Sequence, residues 1–582
     1  STATNRGVFI GCYAGIKNDS GESNIFIGTK AGEGCSDGST CITGDHNIAI
    51  GCVAGSHLTS GTENIYMGTQ AGENTTTGVH NILIGCHAGV CFSTGCRNIS
   101  IGRLAGRGGS STVADNGGKC NISIGDCAGA KMTSAENNIM IGQNITADVS
   151  GGAFTGSKNV FIGFCAANST CTGSVSNSAY VGTHAGAQAS GSYNAFFGAY
   201  AGAKFNCGKC NVAIGAKALC GESSSSTGCC NIAIGVCAGL GVKSGFNNIF
   251  IGTESGRCAN TTSFNMSMGK NAGRGNSSGT TTGRYNVWFG RYTGYMTTTA
   301  CGNVSLGDST NREGVAVCCN VTIGNCASRY NDNGVNNVVI GVNAGCGSSG
   351  STTTSQNVMI GFESGSVVTT ANRNTFIGAC SGKNVTSGCC NVMIGYCMQA
   401  GAATDCNTMA IGHGTDHWIC GHNNYTVRLG KGFNGRCGFS GTNVGNVMNF
   451  NWTSTALQAW VDTVNVGTVT LTSDYRIKQC VATQTACAIS KVKSLNPIDY
   501  QYKDFCLGDT QLGKADGVTR QGFLAHELAS VIPSAVEGTK DSSTELQSLK
   551  LDAVVSVLTK ALQEAVEKIE TLEAKVAALE SG

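Results

Sequence analysis

The sequence predicts a mostly β fold, in which a repetitive β-solenoid or β-roll shaft precedes a smaller α+β domain that ends in a coiled-coil helix. Three observations support this prediction. A short Gly-containing unit recurs through residues 1–412, both prolines lie after residue 472, and a heptad pattern occupies about residues 551–580. We therefore divide the chain into a shaft (1–412), a cap or tip region (413–472) and a C-terminal domain (473–582).

The repeat unit reads Asn-[Ile/Val]-x-Ile-Gly-x-x-Ala-Gly, as in Asn47 to Gly55 and Asn64 to Gly72. Ile48 and Ile50 alternate with a variable residue, which predicts a short strand with one apolar face. Because one such strand cannot bury its face alone, neighbouring coils must stack. About two dozen coils, spaced by ~4.8 Å, would form a rod roughly 110 Å long.

Two residue types in the unit have predicted structural roles. The Gly after each strand permits a tight bend with positive φ. The recurring Asn is expected to form side-chain ladders between coils or to hold the turn. A coil this short has little interior, so we expect the remaining apolar face to be buried against sister chains.

This repeat unit resembles the head repeats of trimeric autotransporter adhesins and the shaft repeats of phage tail fibres. The resemblance covers roughly residues 1–430. It implies three parallel chains in a β-roll or β-helix, that is, a homotrimer.

The chain contains 33 cysteines, many of them at fixed repeat positions. In the pattern Cys-Asn-[Ile/Val]-x-Ile-Gly-x-Cys, as at Cys120 and Cys127, the two thiols are separated by roughly 20 Å of extended chain and cannot bridge within one strand. We expect buried free thiols that fill a narrow core, with bridges between coils or between chains as the alternative. Cys207 and Cys210 lack a second pair at zinc spacing, so we predict no metal and no cofactor.

Charge and hydropathy exclude two classes of partner. The formal net charge of +2 offers no electrostatic case for nucleic acid. The sequence contains no run of about 18 apolar residues, so it predicts no membrane insertion. The chain begins at Ser1, without Met and almost inside a repeat. We therefore expect a missing N-terminal anchor, which in a fibre would attach to another virion protein.

Residues 413–472 contain three of the four tryptophans, Trp418, Trp452 and Trp460. Aromatic side chains at the tip of a fibre would suit a glycan or a protein receptor. The alternative is a capping region that closes the solenoid, because terminal repeats need a cap.

Four motifs follow residue 472 in order. They are Ser473-Asp474-Tyr475-Arg476-Ile477-Lys478, Leu495-Asn496-Pro497-Ile498-Asp499-Tyr500-Gln501-Tyr502, Gly522-Phe523-Leu524-Ala525-His526-Glu527-Leu528 and Ile532-Pro533-Ser534-Ala535-Val536. Together they resemble the intramolecular chaperone domain of the endosialidase type, a self-cleaving peptidase family found at the ends of phage tail fibres and tailspikes. The resemblance covers essentially all of 473–582, with Ile477 in place of the usual Leu.

The resemblance implies a chaperone that trimerises, sets the register of the preceding fibre and is released by cleavage between Thr472 and Ser473. Ser473 would be the nucleophile and Lys478 its activating base, while Asp474 and Arg476 would hold the local geometry. The chemistry agrees, because a serine needs an adjacent base and a lysine serves when burial lowers its pKa. The alternative for this segment is a polar turn between domains.

The C-terminal helix carries a seam of apolar residues at alternating spacings of four and three. This pattern predicts a coiled coil, and the resemblance selects three strands. The alternative is one amphipathic helix that packs on its own domain. The seam residues are Leu551, Val555, Leu558, Leu562, Ala565, Ile569, Leu572, Val576 and Leu579.

The sequence thus predicts a homotrimeric phage tail fibre that attaches to a host surface receptor. It would reside in the virion, be extracellular after release, and have one single-turnover self-cleavage as its only enzymatic activity. One alternative is a bacterial extracellular trimeric adhesin. Another is a polysaccharide-degrading tailspike, which would need two close carboxylates, whereas the glutamates of the repeats are scattered along the chain.

Overall fold

The computed structural model describes residues 6–34, 41–108, 118–148, 153–169, 174–221, 226–276, 281–348, 352–422, 426–429, 448–452, 456–461, 464–470, 481–484, 487–507, 510–542 and 546–582. The chain forms two units. The first comprises Ser1–Asp416 with Gly421–Thr426, and the second comprises His417–Cys420 with Val427–Gly582.

The first unit is a β-solenoid in which each coil contributes one short strand and each strand pairs in parallel with the strand of the next coil. The strands are β1 Val8–Ile10, β2 Ile25–Ile27, β3 Ile48–Ile50, β4 Ile65–Met67, β5 Ile82–Ile84, β6 Ile99–Ile101, β7 Ile122–Ile124, β8 Ile139–Ile141, β9 Val160–Ile162, β10 Ala179–Val181, β11 Ala195–Phe197, β12 Val212–Ile214, β13 Ile232–Ile234, β14 Ile249–Ile251, β15 Met266–Met268, β16 Val287–Phe289, β17 Val304–Leu306, β18 Val321–Ile323, β19 Val338–Ile340, β20 Val358–Ile360, β21 Thr375–Ile377, β22 Val392–Tyr396 and β23 Met409–His413. The predicted solenoid is confirmed.

The interior of the solenoid is lined by the variable residue of each strand, not by the recurring isoleucines. From β2 to β23 the residue in register with Phe26 is buried, whereas its two neighbours are half-buried or exposed. Large residues stack inside: the ring of Tyr180 lies 4.9 Å from that of Phe161 and 4.9 Å from that of Phe196. Each such aromatic contact contributes about 0.5–1.5 kcal/mol beyond the area it buries.

The first and third residues of β1–β23 form two parallel columns on the outside of the sheet, which we call the outer strip. The third residue of each strand is Ile, Val, Leu, Met or Phe, and the first residue of each strand is apolar except for Thr375. In β13, Ile232 is 36% exposed and Ile234 is 37% exposed. The apolar face recognised in the sequence therefore points out of the coil, because the coil interior has room for only one side chain per strand.

Both predicted roles of the recurring asparagine are confirmed. The side-chain amide of Asn64 donates to Oδ1 of Asn47 at 3.0 Å and to the carbonyl oxygen of Gly78 at 2.8 Å. The backbone N–H of Asn64 also donates to Oδ1 of Asn47. Each buried amide thus joins two coils and holds a turn, so its polar atoms are satisfied in a dry interior.

The glycine after each strand is required by both conformation and space. Gly235 has φ +133°, and a Cβ built there would lie 2.7 Å from the carbonyl carbon of Gly252 in the next coil. Residues other than glycine rarely adopt that backbone conformation. The glycine column therefore allows coils to stack at the spacing of a parallel sheet.

The expectation of a thiol-filled core is wrong. Among the described cysteines only Cys91 and Cys165 are buried. Cys120 and Cys127 flank β7 in left-handed conformations, both with φ 56°. These positions lie at the corners of the coil, where the turn directs side chains away from the interior, so most of the described thiols are half-buried or exposed.

The second unit contains short sheets and helices. Two further strands, β24 Asp416–His422 and β25 Thr426–Leu429, belong to the sheet of the solenoid, and their residues are divided between the two units. Its remaining strands are β26 Met448–Trp452, β27 Ala456–Val461, β28 Val464–Thr470, β29 Ile498–Tyr500, β30 Phe505–Leu507, β31 Thr510–Gly513, β32 Arg520–Gly522, β33 Val536–Glu537 and β34 Ser548–Leu549, and its helices are α1 Ala488–Lys493, α2 Ala525–Val531, a 3-10 helix Pro533–Ala535, and α3 Leu551–Glu580.

The hydrophobic core of the second unit is formed mainly by residues of its helices. Its buried apolar members come from α1, α2, the 3-10 helix and the first part of α3: Ala488, Leu528, Ile532, Ala535, Val554, Val557 and Ala561. The predicted α+β character and terminal helix are confirmed. Among the described helices, none combines the length and apolar composition needed to cross a membrane.

Candidate chaperone and cleavage site

Two of the sequence motifs of the C-terminal domain meet at one groove. Leu495 and Asn496, just after α1, face Phe523, just before α2, and Glu527, in its first turn, across a space of about 310 Å³. The side-chain amide of Asn496 donates to Oε2 of Glu527 at 3.0 Å. The motifs are therefore parts of one local structure.

A third element of the motifs is the pairing of β29 with β32. The strands are antiparallel, with Tyr500 opposite Arg520 and Ile498 opposite Gly522. A Cβ at Gly522 would lie 3.0 Å from Cε1 of Tyr500, so this glycine leaves room for the Tyr500 ring. The motif residues here have structural roles in packing two strands.

Charged and aromatic groups flank this strand pair. The Arg520 guanidinium lies 4.7 Å from the centre of the Tyr502 ring and 2.7 Å from Oδ2 of Asp516. The hydrogen bond from the Arg520 guanidinium holds the pKa of the Asp516 carboxyl below its usual range. The hydrogen bond with Tyr502 raises the pKa of the Tyr500 phenol. The cluster is exposed and resembles a positioning network rather than a reactive centre.

The fourth motif fixes where α3 begins. Ile532 and Ala535 are buried on either side of Pro533, which opens the 3-10 helix. The backbone N–H of Lys550 donates to the carbonyl oxygen of Ala535 at 2.8 Å. The long helix therefore starts against the residues of the motif.

A carboxylate of α3 completes the N-terminus of α1. Oε1 of Glu564 accepts hydrogen bonds from the backbone N–H groups of Cys487 and Ala488, and Oε2 accepts one from Ile489, each at 3.1 Å. These N–H groups have no partner inside the helix. The bonds hold the pKa of Glu564 below its usual range, because they favour the charged carboxylate.

The two predicted roles of α3 belong to different faces of the helix. Val554, Val557 and Ala561 pack into the domain core, whereas the predicted seam residues other than Ala565 are exposed. Within this exposed seam, Leu562 is 67% exposed and Leu579 is 81% exposed. One helix thus packs on its own domain and also presents a heptad seam.

The predicted cleavage residues Thr472, Ser473, Asp474, Arg476 and Lys478 lie outside the described residues. Their assignment stays a prediction. The same applies to the receptor tryptophans: Trp418 lies in β24 and is 59% exposed, while the side chains of two others are not described. Trp452 in β26 pairs with Leu457 in the backbone register, and Trp460 in β27 pairs with Asn449.

Within the described ranges, no group of three or more His, Cys, Asp or Glu residues is placed to hold a metal ion. The groove, the strand pair and the helix cap were not recognisable as contacts from the sequence. Their signal was only the order of the four motifs.

The comparisons with known proteins identify the domain. Residues 473–537 match the Peptidase_S74 family, described as the chaperone of endosialidase. No curated protein and no solved structure matches the chain. The match begins at Ser473, and it ends before α3, so it is shorter than the expected 473–582. The segment 473–537 is therefore similar to the chaperone of endosialidase, a similarity that implies self-cleavage, and its place after a long β-solenoid fits a tail-fibre-like protein.

Proposed function

We propose that the chain is the subunit of a homotrimeric phage tail fibre that attaches to a host surface receptor. Its C-terminal chaperone nucleates the trimer and is then released by cleavage between Thr472 and Ser473. The observation that carries this proposal is the outer strip. Two nearly unbroken apolar columns along β1–β23 extend for about 100 Å at the spacing of a parallel sheet.

An apolar surface of that extent marks an interaction site. A second copy of the chain is the occupant that fits best, because its own outer strip has the same length, spacing and composition. The exposed heptad seam of α3 is a second apolar surface, with the pattern of a coiled coil. Both surfaces would be covered in one parallel assembly.

The chaperone would solve a problem of register. Coils that nearly match can pair one step out of place, and pairing between chains is slow to register. Association of the α3 helices would align three chains at one end, from which the coils stack in order. Removal of the nucleus would then make the fibre kinetically trapped, since unfolding could not be reversed.

Cleavage would follow the chemistry of the Ser473 hydroxyl. Its Oγ attacks the carbonyl carbon of Thr472 while the Lys478 amine takes up the proton. Lys478 returns this proton to the Ser473 nitrogen as the amide C–N bond breaks, and an ester forms between Thr472 and Oγ. Water hydrolyses the ester, which leaves a carboxylate at Thr472 and restores the Ser473 hydroxyl beside its free amine. A serine requires such a base, and Lys478 serves if its surroundings lower its pKa.

The receptor would be a host glycan or protein, with Trp418, Trp452 and Trp460 as contacts in the tip region. The exposed ring of Trp418 supports this part of the proposal. The fibre would be joined to the virion through an attachment protein at its N-terminal end and would be extracellular after release.

A tailspike enzyme has less support. Four glutamates of the repeats contact basic side chains: Glu33 contacts Lys30, Glu63 contacts His80, Glu254 contacts Arg257 and Glu363 contacts Lys383. A glycosidase needs two close carboxylates.

The proposal is tested by the mass of the particles that the uncleaved Ser473→Ala chain forms in solution, since this chain keeps the α3 seam. We expect light scattering to give three chains per particle. Adding Leu562→Asp and Ile569→Asp to this chain would abolish assembly, because two carboxylates would enter the seam. Gln563→Asp adds a carboxylate beside the seam on the same helix and should leave the chain trimeric. A monomeric Ser473→Ala chain, or a trimeric seam variant, would contradict the proposal.

A further inference from the structure

Cysteines of successive coils stack directly above one another near the C-terminal end of the solenoid. Cys389 precedes β22 and Cys406 occupies the equivalent position before β23, seventeen residues later. Their Sγ atoms lie 2.8 Å apart, and the backbone N–H of Cys389 donates to Sγ of Cys406 at 3.0 Å. The two thiols are thus in direct contact across a coil boundary.

The same relationship occurs at a second place in the shaft. Cys301 and Cys318 are partners in a parallel β-bridge and precede β17 and β18. Residues opposite each other on adjacent parallel strands are separated by about 4.8 Å. Disulfides span Cα separations of about 4.4–6.8 Å, so this stacking already has the separation that a bridge needs.

We propose that these stacked pairs are oxidation sites, and that Cys389–Cys406 and Cys301–Cys318 form disulfides that staple adjacent coils after the shaft has folded. The repeat creates each site, since equivalent positions of successive coils always face each other. Sequence spacing within one strand could not have shown it, because the partner lies in the next coil.

The reaction balances with a low-molecular-weight disulfide as the oxidant. The thiolate of Cys406 attacks one sulfur of that disulfide, forms a mixed disulfide and releases one thiol. Cys389 then attacks the Cys406 sulfur, forms the inter-coil bond and releases the second thiol. Two protein thiols are oxidised, and one disulfide is reduced to two thiols.

Contacts within each pair lower the reactivity of one of its two thiols. The hydrogen bond that the Cys389 thiol donates to Sγ of Cys406, followed by burial, raises the pKa of the Cys389 thiol to about 11, and the nearby Cys390 adds to the effect. Cys318 in the same way raises the pKa of Cys301 to about 11. Cys389 and Cys301 therefore hold little thiolate at neutral pH in the folded shaft, which slows their own attack on an oxidant.

The position of the Cys389–Cys406 pair gives the staple a consequence. It joins the coils of β22 and β23, the last two strands in chain order with a described parallel pairing. Coils near the end of a solenoid open before those in its middle. A covalent link there would hold the end of the shaft closed.

The test uses the full chain, purified with reductant and then treated with oxidised glutathione, alkylated and digested. Chymotryptic cleavage after Tyr396 separates Cys389 from Cys406, and tryptic cleavage after Arg312 separates Cys301 from Cys318. We expect both pairs of peptides to remain joined, with a mass lower by two hydrogens than the sum of the two thiol peptides.

Neighbouring thiols provide matched controls. The peptides should remain joined in Cys390→Ser and in Cys397→Ser, the second of which removes the stacked partner of Cys380 from the same two peptides. They should separate in the double variant Cys397→Ser, Cys406→Ser. Oxidation of an equal mixture of isotopically labelled and unlabelled chains should yield no mixed peptide pairs if the bond is within one chain. Alkylatable Cys389 after oxidation, a link that survives in the double variant, or mixed peptide pairs would overturn the proposal. This test reads thiol chemistry alone and does not depend on the proposed function.

Discussion

The carboxylate of Glu564 in α3 accepts a hydrogen bond from the backbone N–H of Ala488 in α1, with a distance of 3.1 Å. The bond joins the long helix, which lies beyond the matched family segment, to a helix within that segment. The chaperone fold and its seam-bearing helix are thus one structural unit, so a change at the cap should affect both.

We expect Glu564→Ala to lower the thermal midpoint of the C-terminal unit, since three helix N–H groups would lose their acceptor. Differential scanning calorimetry of an uncleaved Ser473→Ala chain would measure the change. Glu567→Gln, which alters an exposed carboxylate on the same helix, serves as the control. An equal shift for both variants would show that the cap has no specific role.

The same cap predicts a pH dependence. The hydrogen bonds lower the folded pKa of Glu564 from its ordinary value of 4.5. Its contribution to stability is therefore fully present above 4.5 and is lost as the pH falls through the lowered folded pKa. The difference in thermal midpoint between wild type and Glu564→Gln should shrink below pH 4.5. A difference that stayed constant or grew with acid would contradict this assignment.

A charge placed in the outer strip should weaken the assembly of the shaft without unfolding the single chain. Ile323→Asp puts a carboxylate at a position that is 36% exposed in the single chain. Burying that carboxylate between chains without a partner costs several kcal/mol, so assembly of the shaft should weaken by more than about tenfold. Sedimentation velocity of the cleaved shaft would report it. Asn325→Asp, in the same coil, should assemble normally.

The glycine column predicts a difference between two alanine variants. Gly235→Ala combines a φ of +133° with contact against the next coil, whereas Gly414, with φ +58°, has no atom within 4 Å of a built Cβ. We expect Gly414→Ala to cost about 1–2 kcal/mol in the free energy of unfolding. Gly235→Ala should cost more, because the coils must separate. Chemical denaturation of both variants would compare them.

The asparagine ladder predicts that the side-chain oxygen of each Asn, which accepts hydrogen bonds, contributes more to the free energy of unfolding than its side-chain N–H groups. Oδ1 of Asn231 accepts from the backbone N–H of Asn248, and its amide donates to the carbonyl oxygen of Gly245. Asn231→Ala leaves buried groups unpaired, each costing about 1–3 kcal/mol. Asn231→Ser should cost less, since Ser178 already performs the acceptor role for Asn194 in the native ladder. Equal losses would contradict this account.

The stacking of coils could be predicted because period, turn glycine and ladder asparagine are all visible in one repeat. The orientation of the strand could not. Ile48 and Ile50 alternate with Ala49, and this alternation fixes two faces without saying which one is inside. The interior accepts one side chain per strand, of varying size, such as Ala49 beside Phe26. The core is therefore lined by the middle residue of each strand, which is the one that varies between repeats.

The placement of the cysteines depended on backbone conformation that composition does not reveal. Cys120 and Cys127 occupy left-handed corner positions, so their small, apolar side chains are not in the core. In the C-terminal domain, the order of the motifs predicted the family segment. The contact of Asn496 with Glu527 and the Glu564 cap arise from tertiary packing, which no local pattern encodes.

The most direct test of the self-cleaving chaperone is intact-mass spectrometry of the freshly expressed chain beside a Ser473→Ala variant. We predict two wild-type fragments that meet at the Thr472–Ser473 bond and an uncut variant. A wild-type chain that stays at its full 59.2 kDa, or a variant that is cut at the same bond, would contradict the role of Ser473 as nucleophile.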